Sequence, residues 1–331
     1  MPTFLITFKP VASYFFGGEQ TFGEGDEANY FAKSNPFPQQ TTILGTLRKE
    51  VLIQDGVYKE NFKEYTDNDV KIMNGLIGNQ SFQIGEPMDF GVIKSLSPIF
   101  LMQNNESFYI SAPKDRNLIY NPEPGRAFVN DKKDTIPFFT NYNSKKGCDT
   151  GFISNKKGYK RFKDIFEEYI KIGITKERDG DDKESFFKQS YYTLQQDFTF
   201  GVIIEIDFEL KNNTIYMGAN NSSFFMKVRE FDGTLNDQFS NLHEDNKIIL
   251  LSDAYVKNTI YNFCDFALTD TITFRNIRTS SKKYKFERKS KSSKHTFISR
   301  GSVFYPNDKD QVIEMLDLDK SLKKIGYNYY L

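Results

Sequence analysis

The chain has 331 residues, and its 44 Lys and Arg are offset by 44 Asp and Glu, giving a formal net charge of zero. A general polyanion binder is basic overall, so this balance argues against indiscriminate nucleic-acid affinity while leaving room for a local basic stripe. With 38% apolar and 27% charged residues, the composition is that of a globular protein rather than a disordered one. The many Phe and Tyr follow from AT-rich codons at least as readily as from base stacking. Cys148 and Cys264 lie far apart without CxxC spacing, and only His243 and His295 could join them, so no zinc site is expected. Two unpaired thiols, an N-terminal apolar run too short for a signal peptide and no run near ~18 apolar residues predict a cytoplasmic protein without a membrane span.

In chain order, residues 3–16 read as a buried strand stopped at Gly17-Gly18, followed by a long loop over 19–40. Ile43, Leu44, Leu47, Val51 and Leu52 recur at helical spacing and predict a helix from Thr41, with Thr41 or Thr42 as its cap. A second helix is expected over 62–77. Residues 90–110 predict two strands around Gln103-Asn104-Asn105, and 111–160 is irregular. A helix is expected over 159–172. Two strands then flank Gln195-Gln196-Asp197, the second covering 198–210 with a turn at Asn212-Asn213.

Beyond a boundary placed near Glu244, the pattern reads as strand 247–251, helix or turn 254–263, strand 271–277, strand 296–305, helix 309–323 and strand 327–331. That β-α-β-β-α-β order is ferredoxin-like (RRM-like). The expectation is therefore an α+β chain of two such domains. Residues 1–243 would hold a heavily inserted first copy and 244–331 the second.

Several blocks carry a family resemblance. They are Asn35-Pro36-Phe37-Pro38-Gln39-Gln40-Thr41-Thr42-Ile43-Leu44-Gly45-Thr46-Leu47-Arg48, Ser97-Pro98-Ile99-Phe100-Leu101, and Phe108-Tyr109-Ile110-Ser111-Ala112-Pro113-Lys114-Asp115. Further on come Tyr191-Tyr192-Thr193-Leu194, Arg300-Gly301-Ser302-Val303-Phe304-Tyr305 and Ile325-Gly326-Tyr327. In this order the chain resembles the Cas-five-like RAMP subunit numbered third in the type III-B (Cmr) CRISPR effector complex. It departs from that pattern at Arg300, where the family has Ala, and in Met217-Gly218-Ala219-Asn220, a weak form of a glycine motif. Its terminal loop has one glycine where many RAMP proteins carry several. The resemblance implies a non-catalytic subunit in antiviral defence that holds the 5′ tag of the CRISPR RNA. It also implies docking on the large polymerase/cyclase subunit and on backbone RAMP subunits, with no cofactor.

The basic stripe exists independently of the resemblance. Between Arg275 and Arg300 there are ten cations (Arg275, Arg278, Lys282, Lys283, Lys285, Arg288, Lys289, Lys291, Lys294 and Arg300) and one acid, Glu287, with Tyr284, Phe286 and Phe297 interleaved. Such a hairpin could neutralise phosphates and stack a ring on a base; a solvated loop, or one docking on an acidic partner, is the plainer reading. A second cluster comprises Lys145, Lys146, Lys156, Lys157, Lys160 and Arg161, against Asp149. There a role-free surface loop is as good an account as RNA contact. Gln39, Thr41, Thr42 and Arg48 complete the candidates, on the view that the helix start aims amides at a phosphate. Ordinary capping and an exposed arginine is the alternative.

The acidic run over 176–184 fails as a calcium loop: with Asp179 first, Ser190 stands where a bidentate Glu is needed. His295, beside Lys294, is the one candidate base for RNA cleavage, but crowded cations would lower its pKa and no acid partner is apparent. No GxxxxGK[ST], HExxH or GxSxG motif occurs. A processing endoribonuclease and a protein–protein adaptor without RNA contact therefore remain as alternatives to an RNA-gripping scaffold.

Overall fold

The computed structural model describes residues 2–21, 30–61, 64–121, 138–139, 150–175, 185–282 and 285–331. The chain opens with β1 (Thr3–Pro10), β2 (Phe16–Thr21) and β3 (Tyr30–Asn35), so the expected single strand over 3–16 breaks after Pro10. Helices α1 (Gln40–Asp55) and α2 (Asp67–Ile77) follow. In α1 the apolar stripe Ile43, Leu44, Leu47 and Val51 is buried, and Gly56 ends the helix in the left-handed region at φ 82°. The start of α2 is set by a capping box, Thr66 with Asp69, and the helix buries no residue of its own.

The middle of the chain supplies β4 (Ile93–Leu96), β5 (Phe100–Gln103), β6 (Ser107–Ser111), β7 (Tyr120–Asn121), β8 (Phe138–Phe139), β9 (Phe152–Ser154) and β10 (Tyr159–Lys160). Next come β11 (Phe166–Thr175), β12 (Ser185–Leu194), β13 (Phe198–Ile206), β14 (Asn213–Tyr216) and β15 (Ser223–Glu230). Asn104 and Asn105, at φ 53° and 59°, turn β5 into β6 as the sequence suggests. The expected helix over 159–172 is instead β10, a short 3₁₀ turn at Phe162–Asp164 and most of β11. Residues 162, 165, 166, 169 and 170 imitate a helical period. All ten residues of β11 pair with β12, a ladder partner outside the segment, and its aromatic and β-branched residues suit a pleated ladder.

A nine-stranded antiparallel sheet runs β10-β9-β6-β5-β13-β1-β15-β14, with β4 also on β13; a second sheet runs β11-β12-β3-β2. One face of β13 (Phe198, Phe200, Val202, Ile204, Ile206) packs in a core shared with α1. The other face, with Leu5, Phe100 and Ile203, packs against Ile249, Leu251, Val303, Tyr305 and Leu331. Burial on both faces explains the nearly continuous apolar run of this strand. These two cores cross residue 244, so the halves on either side of it share hydrophobic cores.

After α3 (Leu235–Gln238) come β16 (Ile248–Ile249), β17 (Cys264–Leu268), β18 (Thr271–Phe274), β19 (Ile277–Lys282), β20 (Lys285–Lys291), β21 (His295–Ile298), β22 (Val303–Pro306), α4 (Lys309–Asp317) and α5 (Lys320–Lys324). Residues 258–263 form a 3₁₀ turn, and β17 is a strand that the sequence pattern hid. The expected strand over 296–305 is two strands in different sheets, parted at Gly301 (φ 77°), and the helix over 309–323 breaks where Asp319 caps α5. The strand order β16-β22-β17 is extended by residues 329–331: Ile249 and Leu331 exchange backbone hydrogen bonds at 3.1 and 2.9 Å. Among the described residues no helix is long and apolar enough to cross a membrane.

Candidate nucleic-acid interface

Three of the blocks that carry the resemblance, 97–101, 300–305 and 325–327, meet the block 35–48 at the start of α1. Phe37, just before the helix, stacks near Phe152, Phe166 and Phe200 at centroid distances of 5.4–5.8 Å. The Arg300 guanidinium lies 4.7 Å from the Phe37 ring and is paired with Asp253 through Nη2–Oδ2 (2.9 Å) and Nε–Oδ1 (3.2 Å). Burial alone would lower the Arg300 pKa, but Asp253 outweighs it and the net shift is upward. Gln40 donates through Nε2 to the Ser97 carbonyl at 2.8 Å. Gly326, at φ 92°, fits only because it lacks a Cβ, which would collide with Gln40 Nε2 and the Ser97 carbonyl. Beside it, Tyr327 is buried with its hydroxyl turned toward Thr41 but completing no hydrogen bond; burial drives its pKa far upward.

The α1 start itself has Gln39 as cap residue, without a side-chain bond to the helix, and no acid in its first turn. Thr41 and Thr42 are half-buried inside the helix and do not cap it, contrary to expectation. The positive end of this helix dipole is therefore not offset by an acidic side chain from its own first turn.

The basic stripe forms one long two-stranded ribbon. Its root is β18 with β21, its outer half is β19 with β20, and the Lys282↔Lys285 pair lies at the tip. The root is anchored by Phe274 stacked on Phe297 at 4.6 Å, and both rings meet Tyr327 edge-on at 5.8 and 5.2 Å. Asn276 pins the middle, donating to the Phe82 carbonyl at 2.8 Å, and Arg275 donates through Nε to the Ser292 carbonyl at 3.0 Å. Arg278, Lys282, Lys285, Arg288, Lys289 and Lys291 occupy the outer strands, and Lys283 lies outside the described residues. Tyr327 thus couples the ribbon root to the first turn of α1.

The second cluster is only partly in view, since Lys145 and Lys146 lie outside the described residues. Lys156 is exposed and reaches Glu106 at 3.4 Å, Lys160 is half-buried in β10, and Arg161 pairs with Asp164 at 3.1 Å. This turn is joined to Phe37 through Phe152 and Phe166, and Phe37 also carries Arg300.

Two candidates are committed inward. Arg48 sits eight residues into α1, about 12 Å along it, and donates to the Gln80 and Asp89 carbonyls at 3.1 and 3.0 Å while lying over Phe90. Burial pushes its pKa down to about 10. It braces α1 against the 80–90 loop, and Arg300 braces Phe37 against Asp253. The sequence does not single out Asp253 or Tyr327 as partners at this junction, because Asp253 lies 47 residues from Arg300 and Tyr327 more than 200 from Thr41, which leaves no local spacing to read. His295 packs edge-on against Tyr255 at 5.4 Å and near Phe274.

The fold of the chain as a whole is similar to that of solved chains. A chain of the type III-B Cmr-beta complex bound to cognate target RNA and AMPPnP superposes with a TM-score of 0.55 at 12% identity, covering 99% of this chain and 96% of that one. A chain of the same complex bound to cognate target RNA gives 0.54 at 13% identity, with the same coverage. At such identity the likeness establishes the fold. No curated protein matches the chain in sequence. Residues 6–331 match the family described as CRISPR-associated protein (Cas_Cmr3), so the chain belongs to that family and is a subunit of a type III-B CRISPR effector complex.

Proposed function

We propose that this subunit grips the 5′ tag of the CRISPR RNA without cleaving it and bridges the large polymerase/cyclase subunit to the backbone RAMP subunits. The observation that carries the reading is the basic ribbon of residues 271–298, rooted through Tyr327 beside an α1 start that carries no capping side chain. Cations spaced along a two-stranded ribbon suit a run of phosphates. The strand order 329–331, β16, β22, β17 supports reading the C-terminal part as ferredoxin-like, with the ribbon inserted between its second and third strands. We read residues 1–243 as a second, heavily inserted unit of that kind.

The packing of His295 between aromatic rings supports the non-catalytic reading. Purification of the co-expressed complex and sequencing of its RNA tests the proposal. Short RNAs sharing one 5′ end, crosslinked through that end to this subunit, are expected; a complex that assembles with the tag crosslinked only to other subunits would sink it.

A further inference from the structure

The edge of the large sheet carries a surface that neither the ribbon nor the α1 junction uses. Residues directly opposed across an antiparallel ladder share a face. By register, Lys9 lies opposite Phe225, which lies opposite Thr214; Thr7 lies opposite Lys227, and Leu5 opposite Arg229. One step further out, Val11 bonds through its amide to the Ser223 carbonyl, and Ser223 is paired with Tyr216. The intervening residues, Phe8, Phe224 and Met226, point into the core that holds α1. The set therefore stands on the sheet face opposite α1.

This face is open at the edge. Val11, Tyr216 and Phe225 are 52%, 57% and 50% exposed, and Lys9, Lys227 and Arg229 are exposed as well. Large apolar rings left in water between cations are unusual unless something covers them. The opposed positions of β1, β14 and β15 on this face include no acid. Arg229 and Lys9 are held in place by bonds to the Asn105 and Gln196 carbonyls, at 3.1 and 2.9 Å, which leave their charge unneutralised. Among the acids around this face, Asp197 accepts from Gln103, Glu106 is paired with Lys156, and Glu205, opposite Thr3 on β13, accepts from Ser95. Through Asn105 and Glu106 the patch adjoins the Lys156 turn.

We infer that this face is a stacking platform for single-stranded RNA, in which Phe225 and Tyr216 each take a base and Lys9, Lys227 and Arg229 take phosphates. Two rings set diagonally on neighbouring strands are about 7 Å apart, which gives each its own base. Rings on an antiparallel sheet flanked by cations match the chemistry of splayed single strands and suit no duplex groove. The inference rests on the RNA-binding reading but places a second RNA surface on the opposite side of the sheet from α1.

The test uses the purified full chain and a photoreactive oligouridylate of about 12 nucleotides, within the ~4–16 that such surfaces cover. Wild type, F225A/Y216A and K282A/K285A/R288A are compared by crosslink mapping and by anisotropy at one fixed salt concentration. Crosslinks within residues 213–230 are expected, with an affinity loss of roughly 5- to 150-fold per ring removed at unchanged melting temperature. Crosslinks confined to the ribbon, with F225A/Y216A binding as wild type, overturn the platform and leave the ribbon reading intact. An F225A/Y216A chain that keeps its RNA affinity but drops a protein from the co-expressed complex also overturns it, making the face a protein interface. Absence of crosslinks from all three proteins overturns both readings.

Discussion

At the scale of single residues, the buried pair Arg300–Asp253 is the most consequential interaction at the α1 junction. Removing one partner leaves the other charge buried without its counterion, a loss of roughly 3–5 kcal/mol. Asp253→Ala is therefore expected to lower the urea midpoint sharply, while Arg300→Met, which keeps an apolar stem over Phe37, should restore part of the loss in the double variant. Tyr327→Phe removes a hydroxyl with no completed hydrogen bond, so its stability should stay close to wild type or rise. Gly326→Ala should be markedly destabilising, because both its φ of 92° and the neighbouring Gln40 and Ser97 oppose a side chain. A pH effect belongs to Asp69, whose pKa is lowered to about 2 by its bond to Lys59 and by the Thr66 hydroxyl and amide. A depressed carboxylate contributes above its unfolded value near 4 and loses that contribution as pH falls through 2. Amides of the first turn of α2 should thus lose hydrogen-exchange protection in that window in wild type, and Asp69→Asn should flatten the change.

At the scale of elements, the ribbon's two halves separate stability from binding. Phe297→Ala at the root opens a cavity against Phe274 and Tyr327 and is expected to cost about 3–5 kcal/mol. Neutralising Lys282, Lys285 and Arg288 should leave thermal unfolding unchanged. It should also flatten the dependence of log affinity on log salt by about 0.7 for each phosphate no longer neutralised. An unchanged slope would show that these cations meet no phosphate. This ribbon is legible in the sequence because ten cations with one acid between two apolar strands is a local pattern. So is α1, whose stripe repeats within one helix. The segment over 159–172 misleads because its apolar spacing fits two periods, and only its pairing with β12, outside that window, decides between them. Arg48 and Arg300 show a further limit: their positions in a motif are readable, but the carbonyls and carboxylate that hold them are 32 to 47 residues away.

At the scale of the molecule, the surface clusters sit around a framework whose family-like blocks are largely internal. Phe37, Gln40, Ser97, Gly301, Gly326 and Tyr327 pack with one another and with neighbouring backbone rather than presenting themselves to a ligand. A buried cluster adds to this tie: Asp115 accepts from Lys247 at 3.0 Å and from Tyr305 at 2.7 Å, linking the first part of the chain to the last. Residues 1–243 expressed alone should therefore bind hydrophobic dyes and unfold without a cooperative transition, whereas adding residues 244–331 in trans should restore a sharp one.

The shared core has a consequence in time. Leu5, Phe100 and Ile203 belong to strands that leave the ribosome early, yet their covering residues Leu251, Val303, Tyr305 and Leu331 come last. At ~5–20 residues per second, the last eighty-odd residues take roughly 4–16 s to appear. For that interval one face of the large sheet lacks part of its apolar cover, and the nascent chain is a client for any chaperone that holds such surfaces.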